Sequence, residues 1–444
     1  MKLKGAVLTL AVSAVAVAAP TSSSVTYYKD VASILQSRCQ ECHRPGEVAP
    51  MSFMTYDQVR PWAKAMKTAV LTKKMPPWSA DPHYGKFSND RSLSQTEMDT
   101  LVAWVDSGSP AGNPKDAPTP REYTEGWQIG KPDVVFELPT PIDVPATGVV
   151  DYTYVVIPTN FTEDKWVQFA EVRPDARSAV HHVLAFLRPP GNSFMKDAQP
   201  GVPYIPRRPE SAGGQRGQGR SPSRSPNGNI QDQIPGEMLV GYAPGLPPAQ
   251  CKPGEAKLIK AGTDIVLQLH YTPNGKAVTD RTKFGLIFAK EPPQKRVMSM
   301  MAMNYFIKIP AGDPNYEAHS LATLQQDVNL VSLLPHMHLR GKDFLYKAVY
   351  PSGETQVLLS VPKYDFSWQI QYALEQELLL PKGTRIECTA HYDNSANNPS
   401  NPDATKEVRW GDQTFEEMMV GFFDVSFDAH SDPTALQRPA GRSE

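Results

Sequence analysis

The chain has 444 residues, enough for roughly two to four domains, with 45 Lys and Arg against 47 Asp and Glu and a net charge of −2. So even a balance gives no electrostatic case for nucleic acid or an anionic membrane as partner, and a soluble protein is the expectation. The 43 prolines, about twice the usual ~5% share, favour a loop-rich, extended chain over helical bundles.

Residues 1–19 read as a secretory signal peptide. Lys2 and Lys4 precede an apolar stretch from Ala6 to Ala19 with A-x-A patterns ending at Ala16 and Ala18. The stretch is shorter than the ~20 residues a membrane span needs, and no later segment is long and apolar enough. We expect Sec export from a bacterium, to the periplasm or outside, with no membrane span.

Next comes CQECH. Cys39, Cys42 and His43 form C-x-x-C-H, in which two thiols can add to the haem vinyl groups and the adjacent imidazole can ligate iron. A zinc knuckle or a disulfide is the alternative, but no second CxxC follows to complete a zinc site. Met75 in KMPPW, ahead of the stiff Pro76-Pro77 pair, is the expected sixth ligand, with His83 as the other choice. Met51 and Met54 lie too near the attachment site, and Met66 falls in a helical run where a core role is expected. YKDVASILQSR and SLSQTEMDTLVAWVDSG carry helical periodicity, the second with a Ser94 to Glu97 capping box and Gly108 as stop.

Through CxxCH, MPPW and LVAWVDSGSP, residues 25–112 resemble a small class I c-type cytochrome. The resemblance implies a small all-α domain with one covalent haem c. A Pro-rich linker over residues 113–128 follows it.

Beyond it the pattern turns β. DYTYVVIPT, KWVQFAEVR, DIVLQLHYT, KFGLIFA, DFLYKAVY and TRIECTAHY alternate between clusters of Gly, Pro, Asn and Asp, as in sandwiches of many short strands. About residues 207–233, nearly devoid of apolar side chains, a mobile insert is expected.

His336 and His338, two apart in SLLPHMHLRG, project to one face of a strand and can share a metal. His181 and His182 are adjacent, so a shared metal needs irregular backbone or different ring nitrogens. His270, opposite Ile265, Leu267 and Leu269, reads by itself as a packed polar residue. His319 and His430 read as surface residues, and His391 as a core residue or a support for a ligand. Cys251 and Cys388 are an even pair that either forms a disulfide or stays free; the sequence carries no geometry to decide.

HH, then LQLHY, then PHMH, then EEM resembles the copper type II, ascorbate-dependent monooxygenase family, typified by the peptidylglycine alpha-hydroxylating and dopamine beta-monooxygenases. The likeness covers roughly residues 130–430. It implies two antiparallel, jelly-roll-like sandwich domains, residues 129–292 and 293–432, each holding one copper and facing the other across a solvent-filled cleft. His181, His182 and His270 would bind an electron-transfer copper, and His336, His338 and Met418 the oxygen-activating copper. Three imidazoles tolerate both Cu(II) and Cu(I), while a thioether favours Cu(I). Leu334, Val420 and Phe422 stand where the peptide-amidating enzyme has its substrate carboxylate clamp, and Met419 replaces a cysteine that follows the ligand methionine.

The expected protein is thus a haem c and dicopper monooxygenase. It would use dioxygen to hydroxylate a C–H bond of a small organic substrate, with electrons relayed through haem from a quinol-linked cytochrome or an ascorbate-like reductant. The rival readings are a non-catalytic electron-transfer or copper-binding protein and a pair of closed zinc sites.

Overall fold

The structure, a computed structural model, describes residues 25–124, 126–205, 236–433 and 436. The expected signal segment and the expected insert at 207–233 lie outside these residues.

Among the described residues the chain is mostly β. DIVLQLHY forms the strand Asp264–Tyr271, whose Ile265, Leu267 and Leu269 enter the core of an N-terminal sandwich with Val155, Val183 and Phe284. It is the inner strand of a four-stranded sheet ordered Thr153–Pro158, Asp264–Tyr271, Val180–Arg188, Met238–Tyr242. A second four-stranded sheet, ordered Tyr316–Thr323, Arg385–Tyr392, Gly341–Val349, Thr355–Val361, belongs to the C-terminal half and packs on a core that includes Leu330, Phe344, Tyr346 and Phe423. Both halves contribute strands to one nine-stranded sheet. Glu255–Ile259 of the first half pairs in parallel with Lys295–Met303 of the second, and the order continues through Val420–Asp428, Val328–His336 and Tyr372–Leu380. The sandwich expectation is compatible with this β part.

The expected all-α cytochrome domain is not found as a separate unit. Four short α-helices, Ala32–Arg38, Tyr56–Val59, Ala63–Leu71 and Gln95–Asp106, are the α-helices of the described chain, and none exceeds 12 residues. They share a small core of Tyr27, Val31, Leu35, Val59, Met66, Leu101 and Trp104, and the capping box of Ser94 and Glu97 forms as expected. Residues 72–94, however, leave the helices and run along the C-terminal half. Asp81 N–H donates to Ser360 O at 2.8 Å, Ser88 N–H to Ala373 O at 2.9 Å, and Glu375 N–H to Lys86 O at 2.9 Å. Asn89 bonds Gln371 O and Ala373 N–H. The cause is apolar. Trp78 and Phe87 pack edge-on against Tyr372, so a segment that reads as a ligand loop buries its aromatic side chains on the sheet edge.

No disulfide joins Cys251 to Cys388; both thiols are free. Cys251 belongs to the N-terminal half, beside Gln168, whereas Cys388 is buried in the strand Arg385–Tyr392 of the C-terminal half. Its Sγ packs over Gly421, where an added Cβ would meet sulfur at 2.7 Å and the Tyr346 ring at 3.0 Å. Gly421→Ala should therefore cost about 1–3 kcal/mol through overpacking. A lowered urea midpoint with unchanged m-value is the expected readout; an unchanged midpoint would show that the sheet yields freely there.

Candidate metal centre

His182 and His270 are direct partners across the antiparallel pair Val180–Arg188 and Asp264–Tyr271, so their rings share one face, with centroids 5.0 Å apart. That face looks away from the N-terminal core, as expected for a position opposite Ile265, Leu267 and Leu269. His181 joins them through a bulge. The register shifts between Val180 and His182, leaving His181 as the extra residue and defeating the alternation that separates neighbours in a regular strand. The ring nitrogens that the three histidines offer lie within 4.8 Å of one another. His181 Nδ1 and His182 Nδ1 are 3.3 Å apart. Two nitrogens held about 2.0–2.1 Å from one tetrahedral ion lie about 3.3 Å apart.

His336 ends the strand Val328–His336, and His338 lies in the loop beyond it, their rings perpendicular with centroids 5.3 Å apart. His336 Nδ1 meets Gln369 Oε1 at 2.8 Å and His338 Nδ1 meets Glu416 O at 3.1 Å. Each contact fixes the ring and leaves Nε2 as the coordinating nitrogen, the arrangement metal-binding histidines commonly show. The Glu417 carboxylate positions the loop by accepting from His338 N–H at 2.8 Å and Arg340 N–H at 2.6 Å. Met418 follows directly, half-buried, two residues before Val420, which pairs with His336.

The two groups adjoin. His182 and His336 centroids are 6.2 Å apart, Phe366 stacks on His181 at 4.4 Å, and Tyr152 stacks on His270 at 4.2 Å while lying 6.3 Å from His338. Among the described residues the expected solvent-filled cleft between the groups is thus not found: His182 is 2% exposed and His338 0%. Burial lowers the pKa of all five imidazoles and so favours their neutral form, pushing His181 down to about 4; the neighbouring histidines add to the effect at His181, His182, His270 and His338. Buried nitrogens of His181, His182, His270 and His338 have no hydrogen-bond partner. Neutral rings, three of them offering nitrogens within 4.8 Å of one another, fit a divalent metal of the imidazole-binding kind, zinc or copper.

Cys39, Cys42 and His43 form a turn closing the helix Ala32–Arg38, with Cys39 O accepting from Cys42 N–H and His43 N–H. His43 stacks on Phe53 at 4.3 Å, and its Nδ1 meets Met51 O at 3.2 Å, which again leaves Nε2. Free thiols and a fixed imidazole in one turn fit covalent haem attachment. Met75 is half-buried just past the helix Ala63–Leu71, its N–H on Ala69 O, whereas His83 is exposed and bonded to Asp81. His391 bridges Asp343 and Glu317 at the surface of its sheet, and His319 pairs with Glu317.

Tyr152, Phe366, Gln369, Thr414 and the role of Glu417 were not found from sequence. EEM marked Glu417 by position, but the other four carry no local signal.

No family model matches this chain, and no curated protein matches it. Solved structures that match include the infectious bursal disease virus Gx strain, at 9% identity over 69% of this chain and 74% of that one, TM-score 0.19. A VP2 subviral particle of that virus matches at 10% identity over 69% and 75%, TM-score 0.17. At such TM-scores the likeness carries no argument about fold or function.

Two outcomes follow from the geometry. In the metal-free fold the histidines stay neutral, while in the unfolded chain they protonate below about pH 6.5. The unfolded state then binds more protons, so stability falls as pH falls from about 6.5 toward about 4, the range over which burial keeps His181 neutral in the fold. A urea midpoint that stays flat across this window would contradict it. Burial pushes Glu417 up to about 7 against the pull of the His338 and Arg340 amides and the Arg340 charge. Glu417→Gln should cost about 1–3 kcal/mol by weakening those bonds, read as a lower thermal midpoint; a wild-type midpoint would remove Glu417 from its positioning role.

Proposed function

We propose that the protein is an exported haem c and copper oxidoreductase, a type 2 copper monooxygenase that uses dioxygen on a small organic substrate. The observation that carries this is the cluster of five neutral, largely enclosed histidines, four of them with a buried nitrogen that has no hydrogen-bond partner, in one chain with a C-x-x-C-H turn. A zinc site serves Lewis-acid chemistry and has no use for an attached one-electron carrier, so the haem motif favours copper over zinc. When bound, copper would supply one-electron chemistry and a site for oxygen, and haem c would supply electrons from an external cytochrome or an ascorbate-like reductant.

The residues then have distinct tasks. His181, His182 and His270 hold one copper, and His336, His338 and Met418 the other; Gln369, Glu416 and Thr414 aim individual rings. Phe366 and Tyr152 exclude water between the groups. Beside His336 lie Leu334 and Phe422, opposite each other in register, with Met301 next to Phe422. This wall offers no partner to a carboxylate and suits a neutral or apolar substrate.

Protein matured with haem and supplied with copper should carry about two copper ions and about one covalent haem per chain. It should show type 2 copper EPR and consume oxygen under ascorbate when a substrate is present. Met418→Ala should abolish oxygen consumption yet keep the copper at His181, His182 and His270. Zinc alone in the cluster, copper without oxygen consumption, or full turnover by Met418→Ala would each overturn the assignment, and efficient amidation of a glycine-extended peptide would overturn the substrate class.

A further inference from the structure

Between the helical segment and the N-terminal sandwich lies a cavity of about 260 Å³, with Cys42 and Glu47 on one wall and Gly241, Tyr242 and Arg177 on the other. The two walls are tied by the Arg177–Glu47 ion pair and by Arg91, whose guanidinium donates to Gly245 O. The cavity is therefore a fixed gap between parts of the chain held against each other at two points.

Its far wall leads straight to the histidine cluster. Tyr242 ends the strand Met238–Tyr242, which pairs antiparallel with the strand of the paired histidines, and Tyr242 faces Val183 in register. Val183 is bonded in the chain to His182, which faces His270. One rung of an antiparallel ladder spans about 5 Å between Cα atoms and one peptide about 3.8 Å. Tyr242 and His182 are thus about 9 Å apart along a path of one ladder rung and one peptide. Electron tunnelling decays more slowly through covalent and hydrogen bonds than through empty space, and a side chain spanning a gap shortens the poor part of the path.

We propose that Tyr242, through Val183 to His182, is the route by which electrons pass from an iron porphyrin attached at Cys42 to the metal at His181, His182 and His270. The inference rests on the haem and copper reading above and names its internal connection. In each passage one electron leaves ferrous iron, which becomes ferric, and converts Cu(II) to Cu(I); no bond is made or broken and no proton moves. A one-electron donor outside the chain, a reduced cytochrome or an ascorbate-like reductant, returns iron to the ferrous state. Tyr242 acts here as a positioned bridge and needs only its ring, not its hydroxyl.

The test uses the full chain loaded with haem and copper, without oxygen or substrate. A light-generated one-electron reductant reduces the haem, and its reoxidation is followed by haem absorbance while copper is followed by EPR. In the wild type, reoxidation should match the loss of the cupric signal at a rate independent of protein concentration. Tyr242→Phe should keep that rate. Tyr242→Leu, which keeps apolar volume but removes the ring, should lower it at least about tenfold, the equivalent of about 1.4 kcal/mol, with metal content and copper EPR parameters unchanged. Wild-type speed in loaded Tyr242→Leu, a wild-type rate that scales with protein concentration, or haem that stays reduced beside Cu(II) would overturn the route. If Tyr242→Leu fails to load, the concentration dependence of the wild type still decides. Wild-type protein that takes up neither haem nor copper would overturn the reading beneath it instead.

Discussion

The site depends on one buried carboxylate. Glu417 is fully enclosed and spends both oxygens on backbone amides, those of His338 and Arg340. By doing so it joins the loop after the strand Val328–His336 to the start of the strand Val420–Asp428, and these two segments carry His336, His338 and Met418. A neutral side chain there would leave two amides poorly satisfied in a dry interior. Arg340 extends the same clasp, reaching Asn394 and the Phe415 carbonyl from a position 2% exposed. The loop that presents imidazoles to the seam between the sandwiches is therefore held by charge and amide geometry, while the strand face across the seam is held by ladder register.

Much of this was legible in the residues. The alternation in DIVLQLHY placed His270 on the face away from the core, because that follows from strand periodicity alone. The HxH spacing in PHMH also put two rings side by side, though His338 lies past the strand end and is placed by Glu417 and the Glu416 carbonyl instead of by strand alternation. The capping box at Ser94 and Glu97 was equally local. What was not legible is non-local. A bulge at His181 depends on how Val180–Arg188 meets Asp264–Tyr271 and leaves no mark in VHHV. Tyr152, Phe366 and Gln369 matter only because two halves of the chain meet. The separate α domain failed for the same reason: helical periodicity was read correctly, but nothing within KMPPW reveals that Trp78 prefers Tyr372 of a distant strand.

The seam also changes the picture carried by the family resemblance. Two coppers across an open cleft imply halves that move independently, whereas here Glu255–Ile259 pairs with Lys295–Met303 and a single sheet runs through both. Residues 72–94 add a further tie along the edge strand Tyr372–Leu380. Such connections oppose hinge opening, so access to the histidines would come through side-chain and loop motion around Phe366 instead of separation of the sandwiches.

The bulge has an evolutionary reading as well. A regular strand with a histidine at 182, facing the histidine at 270, already supplies two imidazoles on one face. Any third histidine next to the first in sequence would be turned to the opposite side. One inserted codon changes that, because the extra residue is accommodated as a bulge and the register beyond it, from His182 to Arg188, is kept. A three-imidazole site can thus arise in an existing sheet by a single small insertion that leaves the core side of the strand as it was.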